Sequence, residues 1–175
     1  MGTDEGENME LSKKERFIIA NQLKILEKLY PDEADSYATD RKAVEYGFAL
    51  HYPWVMEHIY DELTAKQCEE VLEILQMYSS LKFSYDTLND KSEIDEESIR
   101  FPGFDGNNET MQMVYTRYFI VDLDRYSELR YGTKLADFNS HMPSLDNYRR
   151  MLTIWEDLPN QQNLSKESIL KILKA

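Results

Sequence analysis

The residues best suited to chemistry gather between positions 103 and 143. Gly103-Phe104-Asp105-Gly106-Asn107-Asn108-Glu109 places Asp105, Asn107 and Glu109 in the alternation that the first three oxygen ligands of a calcium loop would take. An EF-hand loop also needs glycine at its sixth position and glutamate at its twelfth. Those positions hold Thr110 and Thr116, so no metal is assigned. Without calcium, the two glycines permit positive φ, the Asx side chains hold a turn or cap the helix that follows, and Glu109 is favourable near that helix's N-terminus.

Arg117 and Arg125 come next, flanked by Tyr115 and Tyr126. Eight residues apart on one helix, they would lie within about 80° of each other at 100° per residue and share a face. On an acidic chain such a pair has two uses. It can grip a ligand carboxylate or phosphate, with tyrosine hydroxyls beside it, or it can form ion pairs with the chain's own acids. Phe138-Asn139-Ser140-His141-Met142-Pro143 adds an amide and an imidazole. The candidate ligand-facing set is Asp105, Asn107, Glu109, Tyr115, Arg117, Arg125, Tyr126, Asn139 and His141, and the ligand class is a small anion. A less favoured reading makes His141 the base, and the arginines the charge clamp, of a hydrolase on a phosphorylated or nucleotide-like substrate.

Other chemistry is poorly represented. His51, His58 and His141 form no H-x-x-x-H or H-E-x-x-H element, and G-x-S-x-G, Walker and dinucleotide glycine patterns are absent. Cys68 falls on an apolar helical stripe, where cysteine is usually a small hydrophobe. Carboxylates are so numerous that chance pairs carry no weight. No metal or cofactor is expected, and which residues would be catalytic, if any, is left open.

The 175 residues carry 33 Asp and Glu against 20 Lys and Arg, a net charge of −13 that repels phosphate and argues against direct nucleic-acid binding. Apolar residues are 42% of the chain, enough to fold, and the length suits one domain burying roughly 70% of its unfolded surface. One cysteine excludes an intrachain disulfide. No basic-then-apolar leader and no long apolar run appears, so a soluble cytoplasmic protein with no membrane contact is expected. Residues 1–8 read as a disordered leader, a tag scar or an alternative start before Met9.

The elements that would position these residues are helices. Ser12 with Glu15 and Thr64 with Gln67 have capping-box spacing. The first opens a helix over about 13–30, with Phe17, Ile18, Leu23, Ile25, Leu26 and Leu29 as its apolar residues. Pro31 stops it, and Asp32 is the expected cap of a second helix through Leu50, with Gly47 as a weak point. The Thr64 box opens a helix with the stripe Cys68, Val71, Leu72, Leu75, Tyr78 and Leu81. Asp86 to Glu109 holds eight acids and two bases and reads as a long acidic connection with a short helix near 95–99. Helix returns over Met111–Arg125, residues 127–143 are irregular, Ser144 opens an amphipathic helix that Pro159 ends, and Ser165 caps a last short one. The fold class is all-α, a multihelical single domain or two helical lobes joined by the acidic connection, with strand confined to short pieces around 82–85 or 99–101.

One resemblance covers nearly all of the chain. From about Met9 onward the sequence resembles the YfbU domain family. The matching residues are Arg16 with Asn21-Gln22, Cys68 with Ile74-Leu75-Gln76-Met77-Tyr78, Gly103-Phe104-Asp105, Tyr115-Thr116-Arg117, Arg125-Tyr126, Phe138-Asn139, and Tyr148-Arg149-Arg150-Met151-Leu152 with Trp155. The resemblance implies a multihelical all-α fold, self-association and a start at Met9, but no reaction. Some family members carry an added helix-turn-helix segment, which implies a ligand-binding or regulatory role. Here there is no room for such a segment, so regulation would run through a partner or a ligand. The alternative is a pure protein–protein interaction module.

Overall fold

Ser12 opens the first helix as its spacing from Glu15 requires: the hydroxyl accepts from the Glu15 amide at 3.3 Å, and the Glu15 carboxylate accepts from the Ser12 amide at 2.8 Å. The computed structural model describes residues 9–130 and 138–175. The expected leader at 1–8 and part of the irregular stretch, 131–137, lie outside the described residues. Among the described residues there are eight α-helices and no strand, only an isolated bridge between Phe104 and Asn139. Residues 82–85, one place where strand was expected, are helical. The chain forms two compact units, one ending at Asp61 and the other beginning at Glu62. The division therefore falls before the acidic connection, which lies inside the second unit.

The first unit is a helical hairpin. Helix α1 (Lys13–Leu29) ends at Pro31, a 3-10 turn spans Pro31–Glu33, and α2 (Ala34–Tyr46) runs back along α1. Asp32 sits in that turn rather than capping α2, which has no side-chain cap at its start. Gly47 is not a weak point within the helix but its end. Its φ of 77° is the left-handed conformation that closes a helix, and its amide donates to the Ala43 and Val44 carbonyls. Arg16 donates to the Val44 carbonyl at 3.3 Å, and the Arg41–Glu27 ion pair ties the helices again. A 3-10 turn (Ala49–His51) and the short helix α3 (Tyr52–Val55) follow. Among the described residues of this unit only Leu23, Val44 and Tyr52 are buried apolar residues; Phe17, Ile18, Ile25 and Leu29, read as apolar residues of the first helix, are exposed.

The second unit has a continuous core. Helix α4 (Ala65–Thr87) begins at the Thr64–Gln67 capping box, and from Val71 onward it buries residues on most of its faces. Around it lie α5 (Glu96–Ile99), α6 (Thr110–Arg117), α7 (Leu145–Glu156) and α8 (Lys166–Leu173). Helix α7 buries Tyr148, Met151, Leu152 and Trp155 at the spacing read from sequence, and α8, capped by Ser165, buries Ile169 and Ile172. The acidic connection is packed rather than loose. Ile94, Ile99, Phe101 and Phe104 anchor it in the core, while several of its acids find partners: Lys82 for Asp86, the distant Lys166 for Asp90 and Glu93, Arg100 for Glu97.

Candidate functional site

Helix α6 does not continue to Arg125. After Arg117 the chain widens into a π-helical turn, Tyr118–Asp122, and then leaves helix with Asp124 and Tyr126 at φ of 51° and 49°. The Arg130 guanidinium secures this reversal by donating to the Ile120 carbonyl and, at 3.0 Å, to the Asp124 carboxylate. The expected shared helical face of Arg117 and Arg125 therefore has no helix to define it. Both side chains are exposed, and neither forms an ion pair among the described residues. Tyr115 and Tyr126 are half-buried and joined through Phe119, at ring separations of 6.0 Å on each side. Burial raises both phenols, aided by Cys68 beside Tyr115 and by Glu128 beside Tyr126.

The remaining candidates do come together. Phe104 donates to the Phe138 carbonyl at 2.9 Å, and Ser140 donates to the Phe104 carbonyl at 3.0 Å, laying 138–140 beside 103–105. Gly103 makes this approach possible. Its φ is +95°, and a Cβ there would stand 1.9 Å from the Phe138 carbonyl oxygen. Asn139 accepts through Oδ1 from the Gly106 amide at 3.1 Å and from the His141 amide at 2.9 Å. Asp105, buried, accepts from the Asn108 side chain and the Asn107 amide. The Asn108 bond first, and those amides after it, hold its carboxyl below the usual range.

Glu109 completes the assembly from within. It is buried, and one oxygen accepts from the Asp105 amide at 3.0 Å. The other accepts from the Ser144 and Leu145 amides at 2.8 and 2.7 Å. Sequence reasoning gave Glu109 to the helix that follows it and the start of α7 to Ser144. In the structure Glu109 caps α7, satisfying free amides at its positive end from 35 residues away, while Ser144 offers no side-chain cap. Beneath lies an aromatic cluster of Tyr78, Phe101, Phe104, Phe138 and Tyr148, in which Tyr148 donates to the Gly103 carbonyl at 2.6 Å. Burial, then Tyr78, pushes the Tyr148 phenol far up, so it stays a donor. Asp105, Asn107, Glu109, Asn139 and His141 thus form one hydrogen-bonded junction, with exposed Asn107 and His141 at its surface.

A feature missed in the sequence is a groove of about 700 Å³ between α4 and α7. Lys66, Glu70 and Glu73 line one wall, and Arg149, Leu152 and Glu156 the other. Arg149 bridges it with a two-pronged pair to Glu70 at 2.7 and 3.1 Å. Burial, with Glu156 next, raises the Glu73 carboxyl. Both walls repeat at i, i+3 or i+4, and i+7, a spacing legible in the sequence, but nothing local says that the two rows face each other. Among the described residues no group of three or more His, Cys, Asp or Glu side chains is placed to hold a metal ion.

A helical hairpin followed by a larger helical unit, with the 103–109 and 138–145 segments locked together, defines a protein of the all-helical class; no described helix is long and apolar enough to cross a membrane. The family is specific: residues 9–175 match the YfbU domain, and the chain belongs to that family. It is 40% identical over 169 residues to the UPF0304 protein MJECS11 of Methanocaldococcus jannaschii, covering 94% of this chain and 99% of that protein.

Proposed function

We propose that the chain is a cytoplasmic homo-oligomeric binding module that works through protein–protein association, with regulation rather than catalysis as its use. The observation that carries this reading is the apolar surface of the first unit. Phe17, Ile25, Leu29, Tyr46, Leu50 and Trp54 are each more than half exposed. Single exposed hydrophobes are ordinary, but a concentration of them on about 60 residues marks an interaction surface. Light scattering on the full chain should give a mass above the 20.7 kDa monomer, and Ile25→Asp with Leu29→Asp should return it to the monomer. A strict monomer in the unaltered chain overturns the reading.

A second reading, a small anionic ligand, is favoured by the exposed arginines. Arg117 and Arg125 are unpaired among the described residues of a chain with net charge −13. Inorganic phosphate at 100 times its dissociation constant should add about 2.7 kcal/mol of stability, and Arg117→Ala with Arg125→Ala should abolish that gain. The same acidity favours no direct nucleic-acid role.

A further inference from the structure

We propose that the first unit docks on a second copy of this chain in a two-fold arrangement, each α1 lying against the partner's 31–46 segment. This rests on the association reading and adds the occupant's orientation. Two observations carry it.

The first is how charge is divided. Helix α1 holds five bases and two acids, whereas 31–46 holds five acids and two bases. Equal and opposite surpluses on neighbouring helices would ordinarily neutralise each other within the hairpin. Here the ion pair joining them, Arg41 with Glu27, runs in the reverse sense and leaves the surplus unused. Lys13, Lys14, Lys24 and Lys28 are exposed and make no ion pair among the described residues, as are Asp32 and Asp35. A surface that is basic on one helix and acidic on the next is self-complementary under a two-fold axis, because residue i then meets j and j meets i.

The second is the apolar pattern of α1. Leu23, with Ile19 and Leu26, turns toward α2, and Ile18, Ile25 and Leu29 make a separate exposed stripe within about 40° of arc. A helix with two apolar stripes has two helical neighbours, as in a four-helix bundle. An axis parallel to the hairpin makes every adjacent helix pair antiparallel. Each α1 C-terminus, with Lys24 and Lys28, then meets the acidic start of the partner's α2, which also sets opposite helix-dipole ends together.

The test is a charge swap in the full chain. Lys24→Glu with Lys28→Glu forms one variant, and Asp32→Lys with Asp35→Lys the other. Far-UV circular dichroism checks that each retains its helix. Each variant alone is expected to dimerise at least about tenfold more weakly than the unaltered chain, and an equimolar mixture should recover a heterodimer. A dimeric unaltered chain whose variants dimerise equally well overturns this arrangement while leaving the association reading in place. So does weakening in both variants without recovery on mixing. An unaltered chain that stays monomeric at roughly 100 μM overturns both.

Discussion

Glu109 and Gly103 do different work in the same junction, and substitution separates them. Glu109 accepts from three backbone amides, two of them at the start of α7. Removing the carboxylate with Glu109→Ala leaves buried donors without an acceptor and should cost roughly 2–3 kcal/mol, whereas Glu109→Gln keeps one acceptor oxygen and should cost less. Urea denaturation followed by circular dichroism measures both. At Gly103 the constraint is steric. Alanine there meets both the left-handed φ of +95° and the Phe138 carbonyl at 1.9 Å, so the 138–140 segment must move. Gly103→Ala should lose at least about 2 kcal/mol. Gly106 does not share this constraint, because its φ is not positive and its added Cβ would meet the Asn139 side chain rather than backbone. The two glycines of the heptad look alike in sequence, and only the distant strand-like partner tells them apart.

Elements whose signals are local were legible in the sequence, and those fixed by distant contacts were not. The capping boxes at Ser12 and Thr64, the Ser165 cap and the α7 stripe lie within a turn or two of the helices they define. The α7 cap comes from 35 residues away, and the break in the helix expected over 111–125 depends on Arg130 reaching back to the Ile120 carbonyl. No short window contains either pair. For the candidate site this split is decisive: the residues of 103–109 were legible as turn and cap formers, their junction with Asn139 and His141 was not, and the arginine pair rested on a helical period that stops at the π turn. The acidic connection likewise read only as a connection with one short helix, because its four anchors are spaced without helical or strand period. Its acids give a pH dependence. Asp90 accepts from Lys166 first and then from Ser92, and Asp105 from Asn108 first, so both carboxyls titrate below their unfolded value of about 4. A depressed folded pKa adds stability that is complete above the unfolded value and is lost as pH falls through the folded one. Stability should therefore fall below about pH 4, and Asp90→Asn should make that fall shallower in urea denaturation at a series of pH values.

At the scale of the whole molecule the two units differ in how they meet the entropy of folding. The second unit owns the continuous core, from Val71 to Ile172, and contains both ends of its buried hydrogen bonds. Among its described residues the first buries only Leu23, Val44 and Tyr52 of its apolar side chains while exposing many more. A chain of about 60 residues is marginal even with a full core, and one with so few buried apolar groups lacks the area to offset its backbone entropy. In the proposed association, burial against a second copy would supply what is missing and would link the stability of the hairpin to its association. The consequence is testable on separated pieces. A fragment of residues 62–175 should unfold in one cooperative transition and keep its near-ultraviolet aromatic signal, because Tyr78, Phe101, Phe104, Phe138 and Tyr148 all lie within it. A peptide of residues 9–61 should be weakly helical when dilute and gain helix with concentration, since the proposed association would cover Ile18, Ile25 and Leu29. Helicity independent of concentration over a hundredfold range would show that the hairpin folds without a partner, and the exposed stripe would then have no part in its stability.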